Sequence, residues 1–291
     1  VTVFTLGSIN IDHIYTVDHL PKPGETLAAR GYLRTLGGKG ANQSVAALRA
    51  GASVVHIGAI GADDDWTPRV LADLGLDLTH VARVPQATGQ AAVVVDARGE
   101  NSIIIHPGAN RAQDRVFIQR ALAGITAMDS LVLQNETSHQ VEAARIARAA
   151  GARVVYSAAP FEIAPLREML GLATHLMMNE GEAAELAAAT GAALAELPVQ
   201  AVIVTKGARG AGWIAPGAAP LFVPSFPVTP VDTTGAGDCF AGSLVARLDR
   251  GDSPEAALRY AAAAAAIQVT RPGTAQAMPL ETEVLRLLNA G

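Results

Sequence analysis

Ser130-Leu131-Val132-Leu133 and Val154-Val155-Tyr156, separated by an Ala-rich helical stretch, decide the fold. A short apolar run, a helix and a second apolar run form the unit of a parallel sheet, because parallel neighbours need a crossover between them. The same kind of run stands at Val3 to Leu6, Val54 to Ile57 and Ala201 to Thr205, again between helical segments. Their near-continuous apolar character predicts strands buried on both sides. The expected class is therefore α/β, with a mostly parallel central sheet and helices on both faces. In such sheets ligands bind beyond the carboxyl ends of the strands, so the residues following each run are the candidates for chemistry.

Two segments interrupt this alternation, Ala28 to Leu36 and Gln90 to His106. In the second, Ala91 to Val95 and Ser102 to Ile105 flank the turn Asp96-Ala97-Arg98-Gly99-Glu100-Asn101, which predicts a β-hairpin. With the first segment it would form a small β-sheet lid over the strand ends, unless these strands extend the main sheet. Residues 1–12, 37–88 and 107–291 would then form the nucleotide- and substrate-binding core, and residues 13–36 and 89–106 the lid. No linker or repeat divides the chain, so the lid reads as an insertion.

Composition narrows the partners. The chain has 291 residues, 50% of them hydrophobic, which is enough for a large core. Charged residues make up 17%, the formal net charge is -5, and no Lys/Arg stripe argues for nucleic acid. No stretch of about twenty apolar residues predicts a membrane span, the Ala-rich run from Ala261 to Ile267 being too short. Val1-Thr2-Val3-Phe4 reads as a strand rather than a leader, and the single cysteine, Cys239, excludes an intrachain disulfide. A cytoplasmic protein is expected. The seven histidines, His13, His19, His56 and His106 among them, lack metal-ligand spacing and are read as surface or packing residues.

The strongest chemical signal is Asp232-Thr233-Thr234-Gly235-Ala236-Gly237-Asp238-Cys239-Phe240, followed by Leu244, Val245 and Leu248 at helical spacing, with Gly251 closing the helix. Free N–H groups of Gly235, Ala236 and Gly237 at the positive end of a helix would hold charge developing on a phosphoryl group. Asp238, in the first turn, would take the proton of an attacking hydroxyl. The helix terminus should stabilise its carboxylate and make it a weak base. Half a dinucleotide fingerprint is a poor alternative, since Phe240 replaces the third glycine.

Gly37-Gly38-Lys39-Gly40-Ala41-Asn42-Gln43 is the second signal. It is not a Walker A loop, because Gly40 follows Lys39 where Ser or Thr is required. Its N–H groups and the Asn42 amide suit sugar hydroxyls. Gly7-Ser8-Ile9-Asn10-Ile11-Asp12 adds Asn10 and Asp12, two apart just past a strand end and able to face one cleft, although ordinary turn residues would read the same way.

Together, Gly38-Lys39-Gly40-Ala41-Asn42-Gln43 and Asp232 to Asp238 resemble the two signatures of the ribokinase-like, or PfkB, family of carbohydrate kinases, along nearly the whole chain. With Gly7 to His13 and Pro23-Gly24-Glu25-Thr26, the pattern is most similar to the ribokinase branch. The resemblance implies ATP-dependent phosphorylation of D-ribose to D-ribose 5-phosphate. It implies a sugar site at Asn10, Asp12, Gly38, Lys39, Asn42 and Glu136, with Asp238 as base; Glu136 also follows a strand. Asn179-Glu180-Gly181-Glu182 resembles the family's Asn-x-x-Glu motif, which implies nucleotide contact by Asn179 and a water-mediated approach of Glu182 to Mg²⁺. A helix N-terminus would favour the same acidic residues. Thr205, Lys206, Gly207 and Gly210, with Gly237, resemble the family's ATP-binding positions.

An activating K⁺ is implied near Asp232, Thr234, Gln268, Arg271 and Gly273. Here the chain departs from the pattern, with Ala277 where a Ser is frequent, and Ala262 where a polar residue often meets adenine. A homodimer paired through the lid is also implied. Rival readings are a kinase of the same family for a nucleoside, deoxyribose or another sugar, and a non-catalytic sugar-binding protein on the same fold. Only Tyr15 and Tyr32 between Gly7 and Gln43 could stack on a nucleoside base, which favours a sugar.

Overall fold

The computed structural model describes residues 1–290. At its centre is a nine-stranded sheet. Strand β1 (Thr2–Leu6) lies between β4 (Ser53–Gly61) and β8 (Ser130–Gln134), parallel to both. The sheet continues from β4 to β5 (Val81–Val84) at one edge. Beyond β8 it runs through β9 (Arg153–Ser157), β10 (His175–Asn179) and β11 (Ala201–Thr205), then through two antiparallel strands, β12 (Gly210–Ile214) and β13 (Leu221–Pro224). The chain builds outward from β1 in one direction and returns to build from β8 in the other, so the crevice beside the ends of β1 and β8 is a topological switch point.

Alternate residues of one strand feed two separate cores, as a doubly covered sheet requires. Val3 and Val132 face the helices α1 (Lys39–Arg49), α7 (Ala236–Asp249) and α8 (Pro254–Gln268). Phe4, Leu131 and Leu133 face α3 (Arg115–Ala121), α4 (Gln140–Ala149), α5 (Ile163–Met169) and α6 (Glu180–Thr190). Helices α2 (Trp66–Asp73) and α9 (Glu281–Ala290) join the first core through Leu71 and Val284. The Ala-rich run of α8 is buried against α7, where small side chains let the two helices approach. Ser253 caps α8 by accepting from the N–H of Ala256, and Pro254 opens it. Among the described residues no helix is long and apolar enough to cross a membrane.

The remaining strands form a separate four-stranded sheet in the order β3 (Gly31–Gly37), β2 (Asn10–Thr16), β6 (Gly89–Val95), β7 (Asn101–His106). The hairpin of β6 and β7 is the one expected from its turn. Asn10 and Asp12 do lie just past the end of β1, but the alternative of ordinary turn residues is corrected: they begin strand β2 of the small sheet. Only Gly7-Ser8-Ile9 separates it from β1, so the chain crosses from the core into the small sheet at the switch point. It returns through Gly37 and Gly38, the latter at φ +93, a left-handed conformation that glycine adopts without strain.

Candidate active site

Helix α7 begins at Gly235, whose φ of +78 makes a sharp entry with no side-chain cap. The N–H groups of Gly235, Gly237 and Asp238 have no partner among the described residues, while that of Ala236 is turned back to the Thr233 carbonyl at 3.2 Å. The N–H groups left open at this end of the helix are thus those of its two glycines and of Asp238 rather than that of Ala236. A side chain at Gly237 would meet no atom within 4 Å, so this turn faces open space.

Asp238 is held from the neighbouring helix. Asn42 Nδ2 donates to its Oδ2 at 2.9 Å, and Gln43 Nε2 to its Oδ1 at 2.9 Å. Gln43 Oε1 in turn accepts from Gln134 Nε2, at the end of β8, at 2.8 Å. Such reach needs α1 and α7 in close contact, and Gly242 provides it: a Cβ there would collide with the Gln43 carbonyl oxygen. Desolvation by the protein packed around Asp238 pushes its pKa above the ordinary carboxylate value, against the opposing pull of Lys39, Asn42 and Gln43. Burial outweighs Lys39 and the two amide donors, so the Asp238 carboxylate is a stronger base than its place at a helix terminus alone predicts.

On the Lys39 side of Asp238, the switch point gathers a group of polar side chains. Glu136, just beyond β8, accepts a hydrogen bond from Ser8 Oγ and faces Lys39 Nζ at 3.6 Å. Burial lowers the Lys39 pKa, but Glu136, Asp238 and Glu182 together raise it above its usual value. Asp12 stands against Gly37, where any side chain would strike its carboxylate. Its pKa is raised to about 6 by desolvation, and next by the Glu136 charge, with Lys39 opposing. Asn10 lies on the same face of β2 as Asp12 and is fixed by Asn110, whose Nδ2 donates to Asn10 Oδ1 at 2.7 Å. The Asn42 side-chain oxygen is buried without a partner among the described residues. The structure therefore brings Asn10, Asp12, Gly38, Lys39, Asn42, Glu136 and Asp238 together at the switch point.

Beside the Gly235–Gly237 turn is an apolar cavity of about 390 Å³ lined by Thr205, Gly207, Gly210, Gly237, Phe240 and Ala262, among others. It joins four of the expected nucleotide residues. Lys206 points elsewhere, with its ammonium 6.0 Å from the Phe222 ring centroid. Asn179 and Glu182 form a reciprocal capping box at the start of α6, Asn179 Oδ1 accepting from Glu182 N at 2.9 Å and Glu182 Oε2 from Asn179 N at 2.7 Å. Desolvation raises the Glu182 pKa, and the Asn179 N–H and the Lys39 charge lower it, so this carboxylate shares the field of the cleft.

Polar side chains gathered at the switch point and an apolar cavity flank the start of α7, and the chain that carries them is matched by a family model. The model for pfkB family carbohydrate kinases covers residues 2–281. The chain belongs to the PfkB family of carbohydrate kinases. It is 37% identical to the ribokinase of Haemophilus influenzae over 302 residues, covering 99% of this chain and 98% of that one. Its fold superposes on a ribokinase of Cryptococcus neoformans in complex with ADP with a TM-score of 0.85, at 32% identity over 98% of this chain and 99% of that one. It superposes on the Arabidopsis thaliana ribokinase complexed with ribose and ATP with a TM-score of 0.83, at 29% identity over 99% and 98% of the two chains.

The monovalent cation implied for this PfkB kinase meets a different geometry. Gln268, fully buried at the end of α8, donates Nε2 to the Thr234 carbonyl at 2.8 Å and to the Gly273 carbonyl at 3.0 Å. Its own carbonyl accepts from Arg271 N at 3.0 Å. The two Asp232 oxygens accept from Thr234 N and Gly273 N, each at 2.9 Å. The Arg271 guanidinium pairs with Glu283, and Ala277 has no side-chain oxygen to offer. Of the expected oxygens, both of Asp232 and the Thr234, Gly273 and Gln268 carbonyls already face N–H donors, and the Gln268 amide group occupies the space between the two loops, so these residues do not fit a cation. For Mg²⁺, no group of three or more His, Cys, Asp or Glu among the described residues could form a cage. Glu182 beside the cleft does fit the outer shell of an ion that keeps its own waters.

Residue reading alone missed Ser8, Gln43, Gln134 and Asn110. Gln43 stands inside a quoted motif and could have been found by its adjacency to Asn42. Asn110 stands in the short turn after β7 and carries no local signal. His56, taken as a packing residue, is buried against Ser44 at 2.8 Å, and burial pushes its pKa down to about 4.

Proposed function

We propose that this PfkB kinase transfers the γ-phosphoryl group of ATP to the 5-hydroxyl of D-ribose, releasing ADP and D-ribose 5-phosphate. The observation that carries the reading is the position of Asp238: its carboxylate lies between the polar cleft and the open N–H groups at the start of α7, clamped by Asn42 and Gln43. Asn10, Asp12, Asn42 and Glu136 would accept and donate to the sugar hydroxyls, the unpartnered Asn42 oxygen among them, with Lys39 balancing the carboxylates. One hydroxyl then lies against Asp238, which accepts its proton as the O–P bond forms. A raised pKa suits that task, because proton transfer is most effective with a base whose pKa approaches the working pH.

The Gly235 and Gly237 N–H groups would face the transferring phosphoryl group and stabilise its charge without reorganisation. Thr205, Gly207 and Gly210 border the cavity that suits the nucleotide, whose apolar walls are apt for a base. Mg²⁺, when bound with ATP, would supply neutralisation of the phosphate charge; Glu182 would receive its water shell, with Asn179 beside it. Lys206, turned toward Phe222, would reach the phosphates only by a rotamer change.

The small sheet would act as the lid, since Asp12 reaches the sugar from it and closure excludes water. On the Asp12 face it exposes Leu33 at 58%, Ile103 at 52% and Ile105 at 52%, an apolar surface that a second copy would cover. A homodimer through these faces is part of the proposal. A cytoplasmic location is also part of it, supported by the single, buried, free Cys239 and the need for ATP.

The test is ADP release with ATP and Mg²⁺ on D-ribose, 2-deoxyribose, fructose, adenosine and cytidine. The highest kcat/KM should be on ribose, with a 5-phosphate product by ³¹P NMR. Preference for deoxyribose or a nucleoside would move the substrate within the family, and turnover of none of the five would remove the sugar assignment.

A further inference from the structure

We propose that Gln268 takes the place of an activating monovalent cation, so that this kinase is built to work without K⁺. The fold family implies a cation between the loop that precedes α7 and the loop that follows α8. Here the same two loops are joined by one buried side chain, whose two amide hydrogens are both used, on the Thr234 carbonyl at 2.8 Å and the Gly273 carbonyl at 3.0 Å. The choice of nitrogen over oxygen follows from the partners. Turned around, Oε1 and the two carbonyl oxygens would need a cation among them to offset their crowding, whereas the two amide hydrogens satisfy both carbonyls without one. The amide oxygen as placed is buried and unpartnered among the described residues, a modest penalty beside two satisfied carbonyls.

Asp232 completes the brace by accepting from Thr234 N and Gly273 N, so both loops are tied in both directions. A K⁺ ion surrounds itself with several oxygens, and to enter here it would have to break both Gln268 bonds. Ala277, buried beside these loops, offers no hydroxyl to compensate. The consequence lies at the start of α7: Gly235 follows Thr234 directly, so holding the Thr234 carbonyl holds the turn whose N–H groups face the phosphoryl group. Gln268 is thus a positioning residue, acting through Thr234.

The inference rests on the kinase reading but not on the identity of the sugar, and two of its readouts do not involve turnover. Turnover, ADP affinity by calorimetry and melting temperature are compared in K⁺, Na⁺ and choline chloride at equal ionic strength. For the wild-type protein, K⁺ should change each rate or affinity by less than about two-fold and leave the melting temperature unchanged. Gln268→Ala opens the space between the carbonyls. It should lose turnover about ten-fold or more in choline, recover most of it in K⁺, and gain melting temperature in K⁺ alone. Activation of the wild-type protein by K⁺ of about ten-fold, or a K⁺-dependent rise in its ADP affinity or melting temperature, would overturn the proposal even if the variant fails to fold. A Gln268→Ala protein that keeps full turnover in choline would overturn it as well.

Discussion

Asn42 and Asp238 are joined by a 2.9 Å hydrogen bond, Nδ2 to Oδ2, across 196 residues of chain. The bond exists because α1 and α7 pack closely, and it leaves the second lone pair of that oxygen to receive a proton. Gln43 does the same for the other oxygen and is itself held by Gln134, so the carboxylate is aimed by two helices and a strand.

Gln43→Ala removes a donor from a charged carboxylate, an interaction worth roughly 1.5–3 kcal/mol. Turnover should fall about 10- to 100-fold, with the sugar affinity by calorimetry within about two-fold of wild type. Because this donor lowers the Asp238 pKa, the acid limb of the pH–rate profile should also move to higher pH. An unmoved limb with unchanged turnover would show that Gln43 does not position the base.

Sugar affinity should fall as the pH drops through about 6, the value to which desolvation and Glu136 raise Asp12, because protonation removes an acceptor from the cleft. The sign for stability is opposite. Between the unfolded carboxylate value and about 6 the folded protein binds the extra proton, so this group's contribution to stability declines as pH rises through that window. Asp12→Asn should therefore melt higher than wild type at pH 7 while binding ribose at least ten-fold more weakly. Calorimetry and thermal melts at pH 5 and 7 read both effects.

Gly242→Ala puts a methyl group against the Gln43 carbonyl oxygen. Overpacking of this kind costs about 1–3 kcal/mol, and here it also pushes Asn42 and Gln43 away from Asp238. Chemical denaturation should show the loss of stability, and kcat should drop with it. A destabilised variant with wild-type kcat would mean that the spacing of α1 and α7 does not set the geometry of the base.

The apolar Asp12 face of the small sheet predicts association. Sedimentation should give a dimer at micromolar concentrations, and Ile103→Lys combined with Ile105→Lys should give a monomer, since two charges would have to be buried at the interface. A wild-type chain that stays monomeric at every concentration would contradict this surface assignment.

Much of this site was legible because its chemistry lies in contiguous motifs at strand and helix ends. Asp232 to Asp238 and Gly37 to Gln43 each pair a backbone conformation with a side chain, and glycine marks the first. Strand β2 was not legible as a strand, since Asn10-Ile11-Asp12 follows β1 after three residues, and its polar residues, which serve the cleft, imitate a turn. Strand β10 went unread although Leu176, Met177 and Met178 are apolar, because methionine carries little strand preference. The upward direction of the Asp238 pKa is not legible, because burial depends on the packing of α1, which no local pattern encodes. The role of Gln268 is similarly hidden: its significance lies in which two carbonyls its amide reaches, 34 and 5 residues away.

The most direct test of the central claim is Asp238→Asn, with ADP formation measured on ribose and ribose binding measured separately. The amide keeps the size of the side chain but cannot accept the proton. Turnover should fall by about two to four orders of magnitude, the range ascribed to a positioned general base, while the melting temperature shifts little and ribose still binds. Turnover within a few-fold of wild type would contradict the assignment of Asp238 as the base.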